Sequence, residues 1–295
     1  MQEQREPAPN VGFEESAETS FKGCLLLFCV LLACSQLSAQ SLRFTVVKQQ
    51  IISNRLRTCP AKNIDREHEL QTLFAESGCS ASNLTLQAPK HSKYGNVVCT
   101  LPGKSPDEIV VGAHFDHVEA GAGAVDTWSG ASLLPSLYES LSSTPRQHTF
   151  VFVGFYEEEE GEIGSGEYVH WLGKEKLKQI DAMVNMDTLG LGPTEVWLSH
   201  ADKDLARRAL TVANAMKLPL TAVNVEYVGS TDSENFRAKK VPSITFHSLT
   251  QSTLSILHSR RDQLSEIRES DYYNSYRLLA AYLTYLDESV QNRPQ

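Results

Sequence analysis

Apolar and polar positions along the chain follow two alternating patterns. Short continuous apolar runs, typical of strands buried on both faces, occur at residues 108–113, 149–156 and 182–186. Segments with apolar residues at helical spacing lie at residues 65–77, 129–142, 166–180, 202–216 and 271–286. Further short strands are predicted at residues 96–101, 195–199 and 243–246. The alternation predicts an α/β fold, a single-domain three-layer sandwich with a mostly parallel mixed central sheet and helices on both faces.

The first 39 residues have the pattern of an export signal rather than of a domain. Residues 23–33 (GCLLLFCVLLA) are apolar and follow Lys22, but this run is about half of the roughly 20 residues that span a bilayer. We predict a signal peptide ending at Ala39, or a lipoprotein leader with Cys34 as the lipidated residue. An uncleaved membrane anchor is the alternative. Residues 40–295 would then be one domain, secreted or periplasmic.

Composition and cysteine spacing narrow the class of protein. The apolar share of 41% and the charged share of 21% exclude a disordered chain and a coiled coil. The formal charge of −9 argues against binding to a nucleic-acid backbone. No cysteines form a C-x-x-C pair, which argues against a structural zinc knuckle. Export permits a disulfide, for which Cys79 and Cys99 are the preferred pair and Cys59 is the alternative partner.

Residue types that bind metals follow the three central apolar runs. His114 and Asp116 come directly after the first run, residues 157–160 (EEEE) after the second, and Asp187 after the third. Ligand sites in open α/β sheets form outside the carboxyl ends of the strands. Each of these polar segments alone is also typical of a solvated loop. Four like charges at a strand end, however, are costly unless a cation neutralises them, which favours a divalent metal.

Six segments together resemble the motifs of one enzyme family in their order along the chain. They are residues 112–117 (GAHFDH), 125–130 (VDTWSG), 158–165 (EEEGEIGS), 184–190 (VNMDTLG), 230–236 (STDSENF) and 256–262 (ILHSRRD). This set is similar to the motifs of the family-28 zinc metallopeptidases, the clan of secreted bacterial leucine aminopeptidases, which is related in fold to the glutaminyl cyclases.

The resemblance implies a site for two zinc ions per chain. The implied metal ligands are His114 and Asp187 for one ion, Glu159 and His258 for the other, and Asp126 as the bridge. The implied catalytic residues are Glu158, as general base, and Asp116, behind His114. Counting back from Gly161 selects Glu158 and Glu159 as the functional pair, and an error of one position is the main risk. His247 is the alternative to His258 as the last ligand.

The expected function is a secreted zinc-dependent exopeptidase that hydrolyses N-terminal residues from peptides. The expected partners are peptide substrates, and no nucleic acid is expected to bind. Membrane contact is expected only through a lipid anchor at Cys34. The chain is expected to be a monomer. A glutaminyl-cyclase-like acyltransferase and a non-catalytic peptidase-like binding module are the alternatives. Thr127, Trp128 and Ser233 depart from the family pattern, and these departures put the specificity and rate in question rather than the metals.

Overall fold

Eight strands form one sheet in the computed structural model, which describes residues 43–88, 92–225 and 229–290. The strands are β1 (Leu84–Gln87), β2 (Asn96–Leu101), β3 (Glu108–His114), β4 (Thr149–Phe155), β5 (Ile180–Met186), β6 (Glu195–Val196), β7 (Thr221–Ala222) and β8 (Ser243–His247). Their spatial order is β1-β2-β4-β3-β5-β8-β6-β7. The four central strands β4, β3, β5 and β8 are parallel, whereas β1–β2, β2–β4 and β6–β8 pair antiparallel. The predicted mostly parallel mixed sheet is confirmed.

Eight α-helices in the described part of the chain surround this sheet. They are α1 (Gln49–Thr58), α2 (Asn63–Glu76), α3 (Ser129–Ala131), α4 (Leu134–Ser142), α5 (Ile163–Leu177), α6 (Lys203–Met216), α7 (Ser233–Ala238) and α8 (Glu269–Ser289). Their side chains fill two separate cores. On one face Phe74, Tyr138 and Phe152 pack together. On the other face Phe155, Tyr168 and Phe236 do so. Side chains of β4 thus point alternately into the two cores, one on each face of the sheet. This confirms the three-layer sandwich.

The observed elements depart from the predicted ones in several places. The helix expected at residues 129–142 is divided into α3 and α4, with Pro135 in the first turn of α4. Proline lacks an N–H and clashes with the preceding turn, so it is accommodated at a helix start. The strand expected at residues 195–199 ends at Val196, and a 3₁₀ turn follows at Leu198–His200. Helix α1 was not predicted.

A disulfide joins Cys79, in the turn after α2, to Cys99 in the middle of β2, with the Cα atoms 6.5 Å apart. The preferred pairing is therefore confirmed, and Cys59 is a free thiol. The predicted leader, with Cys34 and Ala39, lies outside the described residues. Among the residues that are described, no helix has the length and apolar character needed to cross a membrane.

Candidate metal centre

The sequence-predicted site residues meet at the carboxyl edge of the parallel strands. β3 ends at His114, β4 ends two residues before Glu157, and Asp187 follows β5 directly. Because these strands are parallel neighbours, their ends lie side by side. Ligand atoms of His114, Glu158 and Asp187 lie within 4.8 Å of one another. A second group with the same spacing consists of Asp126, Glu159 and His258.

Asp126 stands between these two groups. Its Oδ1 lies 3.4 Å from Nε2 of His114, and its Oδ2 lies 3.3 Å from Nε2 of His258. Oδ1 of Asp187 lies 3.9 Å from the same nitrogen of His114. One carboxylate thus presents a separate oxygen to each of two imidazoles, which is the arrangement needed to bridge two ions about 3.5 to 4 Å apart.

Of the acidic run at residues 157–160, only Glu158 and Glu159 contact the site histidines. Oε2 of Glu159 lies 2.9 Å from Nε2 of His258, and Oε2 of Glu158 lies 3.9 Å from Nε2 of His114. Glu157 instead accepts a hydrogen bond of 2.8 Å from the Ser92 hydroxyl. Glu160 is exposed to solvent. The structure therefore brings together the same pair of glutamates that counting from the glycine selected, while their roles as base and ligand stay predictions.

Asp116 contacts both the acidic run and the ring of His114. Its carboxylate accepts the backbone N–H groups of Glu158 at 3.1 Å and of Glu159 at 3.2 Å. Nδ1 of His114 lies 3.2 Å from the Asp116 carbonyl oxygen and 3.5 Å from its Oδ1. A partner at Nδ1 fixes the ring so that Nε2 faces the site. Through these contacts Asp116 orients two other groups, as a residue placed behind His114 is expected to do.

The carboxylates of the site strongly perturb one another and the histidines. Burial raises the pKa of Glu158 to about 10, and nearby Asp232 and Asp187 add to this rise. Burial, together with Asp126, raises the pKa of Glu159 to about 7. The hydrogen bond to Asp126 raises the pKa of His258 to about 9. The site thus carries more negative charge than it can hold without protons or cations.

The pKa values of His114 and Asp126 are also shifted strongly by their neighbours. Burial by itself lowers the pKa of His114, but the surrounding acids, led by Glu158, raise it well above its ordinary value. Burial alone would raise the pKa of Asp126, yet its contacts with His114 and His258 hold it well below its ordinary range. Both groups therefore favour their charged forms, with Asp126 paired to two imidazolium rings when no metal is bound.

The donor set fits zinc. Two imidazoles and several carboxylates converge, and these are the ligand types that zinc takes in hydrolytic sites. Oε1 of Glu159 is buried and has no hydrogen-bond partner in the described part of the chain. A buried carboxylate oxygen without a partner is costly unless a cation binds there. The residues present are therefore suited to the metal that the motifs imply.

His247, the alternative to His258, has both ring nitrogens occupied by backbone groups. Its Nε2 lies 3.1 Å from the Val223 carbonyl oxygen, and its Nδ1 accepts the Leu249 N–H at 3.1 Å. Burial lowers the pKa of His247 to about 4, so the ring is neutral. Both ring nitrogens are engaged by the backbone, whereas His258 lies with Asp126 and Glu159, and this favours His258 as the predicted last ligand.

Two positioning contacts were missed by the sequence analysis. The Thr127 hydroxyl lies 3.2 Å from Oδ1 of Asp187 and accepts the Thr188 N–H at 2.6 Å. Asp262 accepts the Val125 N–H at 2.7 Å, which fixes the backbone beside Asp126. Thr127 was noted only as a departure from the family pattern. Nothing local in the sequence indicates either contact, since the partners are 60 and 137 residues apart.

Asp232 is a further acid that the sequence analysis did not assign. It is fully buried, at 0% exposure, and neither carboxylate oxygen has a hydrogen bond to the residues that are described. Burial, together with the nearby Asp116 and Asp187, raises its pKa to about 7. It adds to the negative field that acts on Glu158.

The cavity in front of the acids has a mixed wall. It is lined by the site acids and His258, and also by the apolar side chains of Trp197, Leu249 and Leu257. An apolar wall beside a charged end suits a ligand that carries a charged group next to an apolar one.

Comparisons with known proteins agree with this geometry. The family model described as Peptidase family M28 matches residues 96–283. Aminopeptidase YwaD of Bacillus subtilis is 29% identical over 149 residues, which are 48% of this chain and 32% of that protein. The chain therefore spans about a third of the length of that curated relative.

Two solved structures share the fold at low sequence identity. The LapA aminopeptidase of Legionella pneumophila superposes with a TM-score of 0.73 at 19% identity, covering 83% of this chain and 73% of that chain. A glutaminyl cyclase from an Acidobacteriales bacterium superposes with a TM-score of 0.67 at 16% identity, covering 85% of this chain and 98% of that chain. At such identities the likeness establishes the architecture alone.

Proposed function

The chain belongs to peptidase family M28, and on that premise we propose that it is a zinc-dependent aminopeptidase that hydrolyses N-terminal residues from peptides. One observation carries the proposal. The two oxygens of Asp126 face two different imidazoles, at 3.4 Å and 3.3 Å, and each imidazole has another acid beside it. A carboxylate shared in this way is the central feature of a two-metal hydrolase site.

Five side chains would hold the ions, as the motifs implied. His114 and Asp187 would hold one zinc, Glu159 and His258 the other, and Asp126 both. When bound, the zinc ions would supply a water nucleophile of lowered pKa and polarise the scissile carbonyl. Asp116 and Thr127 would keep His114 and Asp187 in place through the contacts described above.

Glu158 is the group placed to move protons. It is mostly buried at the floor of the cavity, and its carboxylate lies near His114 rather than His258. We infer that it takes a proton from the attacking water and gives it to the departing amine. Positioned proton transfer of this kind contributes about 10²- to 10⁴-fold to a rate. Asp116 supports the transfer by fixing the backbone N–H of Glu158.

The charge of the cavity favours a substrate with a free N-terminus. Four carboxylates lie 3.4 to 3.9 Å from the ring nitrogens of His114. Two zinc ions would offset much of this charge, and the remaining acids can pair with an α-ammonium group. The side chain of the same terminal residue would lie against Trp197, Leu249 and Leu257.

A panel of aminoacyl fluorogenic substrates, with and without a chelator, tests the proposal. We expect cleavage of substrates with a free α-amine, no cleavage of their N-acetylated counterparts, and loss of activity with chelator that added zinc reverses. Cleavage that persists after complete removal of metal would contradict the zinc proposal. Equal cleavage of acetylated substrates would contradict the exopeptidase proposal.

The glutaminyl-cyclase alternative deserves one direct comparison, because a cyclase shares the fold over 98% of its own length. A peptide with N-terminal glutamine distinguishes the two reactions. Hydrolysis releases free glutamine, whereas cyclisation leaves a pyroglutamyl peptide and ammonia. We expect free glutamine or no reaction. Absence of both products across the whole panel would instead favour the non-catalytic binding module.

We further propose that the protein acts outside the cytoplasm. Support comes from the apolar run at residues 23–33 and from the Cys79–Cys99 disulfide, which is typical of oxidising compartments. Mass spectrometry of the protein purified from its source should find a new N-terminus near residue 40, or a lipidated Cys34. An intact N-terminus at Met1 in the cytoplasmic fraction would contradict export.

A further inference from the structure

Arg66 is a fully buried cation, at 0% exposure, on helix α2. Within the described residues no carboxylate forms an ion pair with it. Its donors point instead to four backbone carbonyl oxygens and, through Nη2, to the Cys59 sulfur at 3.6 Å. Nη1 donates to Phe115 at 2.9 Å and to Gly123 at 3.2 Å, Nε donates to Pro60 at 2.8 Å, and Nη2 donates to Ala122. A buried guanidinium without a carboxylate partner is costly to desolvate, so its retention calls for a reason.

The carbonyl groups that Arg66 binds belong to the two segments that build the site. Phe115 lies between His114 and Asp116 in the loop after β3. Ala122 and Gly123 lie in the loop that leads to Asp126. The guanidinium of Arg66 therefore connects the two loops that carry His114 and Asp126. Nε2 of His114 and Oδ1 of Asp126 lie 3.4 Å apart.

One further contact and one backbone constraint tie Arg66 to the Asp126 segment. Its guanidinium carbon lies 5.6 Å from the ring centre of Trp128, which is itself fully buried. Gly123 adopts φ = +56°, and a Cβ at that position would lie 2.3 Å from Cβ of His117. The carbonyl direction of Gly123 thus depends on a backbone conformation that only glycine adopts here, and Arg66 binds that carbonyl.

We propose that Arg66 is a positioning residue for the metal centre, which sets the separation of His114 and Asp126 before metal binds. The inference rests on the proposed zinc function. Arg66 lies outside the six motifs and before residue 96, where the family match begins. Its planar, rigid fork of five N–H donors can reach carbonyls on two loops at once. A lysine ammonium offers three donors from a single point and cannot span both.

The test compares Arg66→Lys with Arg55→Lys. Arg55 is a buried arginine too, at 8% exposure, but it bonds Ser136 and Glu139 away from the metal centre. For each metal-free protein we would measure the thermal midpoint and the zinc affinity by competition with a chromogenic chelator. Loss of groups that orient ligands typically lowers metal affinity about 10- to 100-fold. We expect that loss for Arg66→Lys and less than about a twofold change for Arg55→Lys.

The zinc affinity of the folded, metal-free protein separates positioning from a general structural role. A purely structural arginine would lower the thermal midpoint and leave the zinc affinity unchanged, and that result with Arg66→Lys would overturn the proposal. If Arg66→Lys does not fold, Arg66→Gln, which is uncharged and keeps two donors, takes its place with the same expectation. Failure of both to fold, with Arg55→Lys folded, would show a structural role and overturn it as well.

The wild-type protein distinguishes this proposal from the one on which it rests. Wild type that binds no zinc would contradict both proposals. Wild type that binds zinc and cleaves peptides, alongside an Arg66→Lys protein of equal zinc affinity, would overturn only the role of Arg66.

Discussion

Two buried histidines at opposite edges of the sheet have carboxylates around them, yet their surroundings differ. At the carboxyl edge, His114 has four acids within 3.9 Å of its ring nitrogens. At the amino edge, His148 lies just before β4, with Asp287 3.1 Å from Nδ1 and Asp181 3.3 Å from Nε2. Asp287 also accepts the backbone N–H groups of Gln147 and His148.

The two clusters differ in how far their charged groups are paired with one another. The amino-edge cluster pairs one imidazolium with two acids, and Asp287 accepts hydrogen bonds from the ring and from two backbone N–H groups. Nε2 of His148 and Oδ2 of Asp181 lie 3.3 Å apart without a well-aligned hydrogen bond, so they interact mainly through charge. The carboxyl-edge cluster leaves Glu159 with an unpartnered oxygen and Glu158 with a pKa raised to about 10. Perturbed acids in a cleft indicate a functional site, whereas a balanced buried cluster holds segments together.

Removal of zinc should give the largest effect and should act at the carboxyl edge alone. Because bound zinc would offset the repulsion among the acids, free zinc at 100 times its dissociation constant should add about 2.7 kcal/mol to the free energy of unfolding. Chelator should abolish activity and lower the thermal midpoint. Chelator should lower the thermal midpoint of the His148→Gln variant by the same amount. Equal midpoints with and without zinc would contradict the comparison.

Glu158→Gln should lower kcat by about 10²- to 10⁴-fold. The ligands remain and only the proton carrier is lost, so zinc content by elemental analysis should stay near that of wild type. Glu160→Gln is the matched control, since this neighbour is exposed and should keep full activity. If Glu158→Gln lost zinc while Glu159→Gln retained it, the assignment of the two glutamates would be reversed.

Thr127→Val should have an intermediate effect. The valine keeps the shape of the side chain but removes the hydroxyl that contacts Asp187 and Thr188, so zinc affinity should fall about tenfold. Thr149→Val is the counterpart at the amino edge, where the hydroxyl bonds Ser105. That control should lower the thermal midpoint without changing zinc affinity. A similar loss of affinity in both variants would remove the distinction between the edges.

His148→Gln should have the smallest effect on activity, within about twofold, but should change the pH dependence of stability. Burial lowers the pKa of His148, yet Asp181 and Asp287 outweigh this and raise it from 6.5 to about 9. Since the folded-state pKa is above the unfolded one, its stabilisation is complete below pH 6.5 and is lost as the pH rises through 9. The wild-type advantage in urea unfolding should be about 1 to 3 kcal/mol at pH 6. An advantage that did not shrink by about pH 9.5 would contradict this assignment.

The sequence alone determined the central strands and the residues at their carboxyl ends. Strands buried on both faces are apolar without interruption, so residues 108–113, 149–156 and 182–186 could be recognised locally. His114, Glu158, Glu159 and Asp187 follow those strands closely, and parallel neighbours bring such ends together. The break just before Pro135 also has a local cause, since proline is accommodated at a helix start, although the sequence analysis expected one continuous helix at residues 129–142.

Only the tertiary structure decided which polar groups hold the site in place. His247 and His258 are the same residue type in neighbouring segments, and it is the contacts of His247 with the Val223 and Leu249 backbone groups that favour His258 as the ligand. Asp262 fixes the Val125 N–H from 137 residues away, and Arg66 reaches Gly123 from 57 residues away. Hydrogen bonds between distant segments leave no periodic pattern in the sequence, because their geometry exists only after the layers have packed.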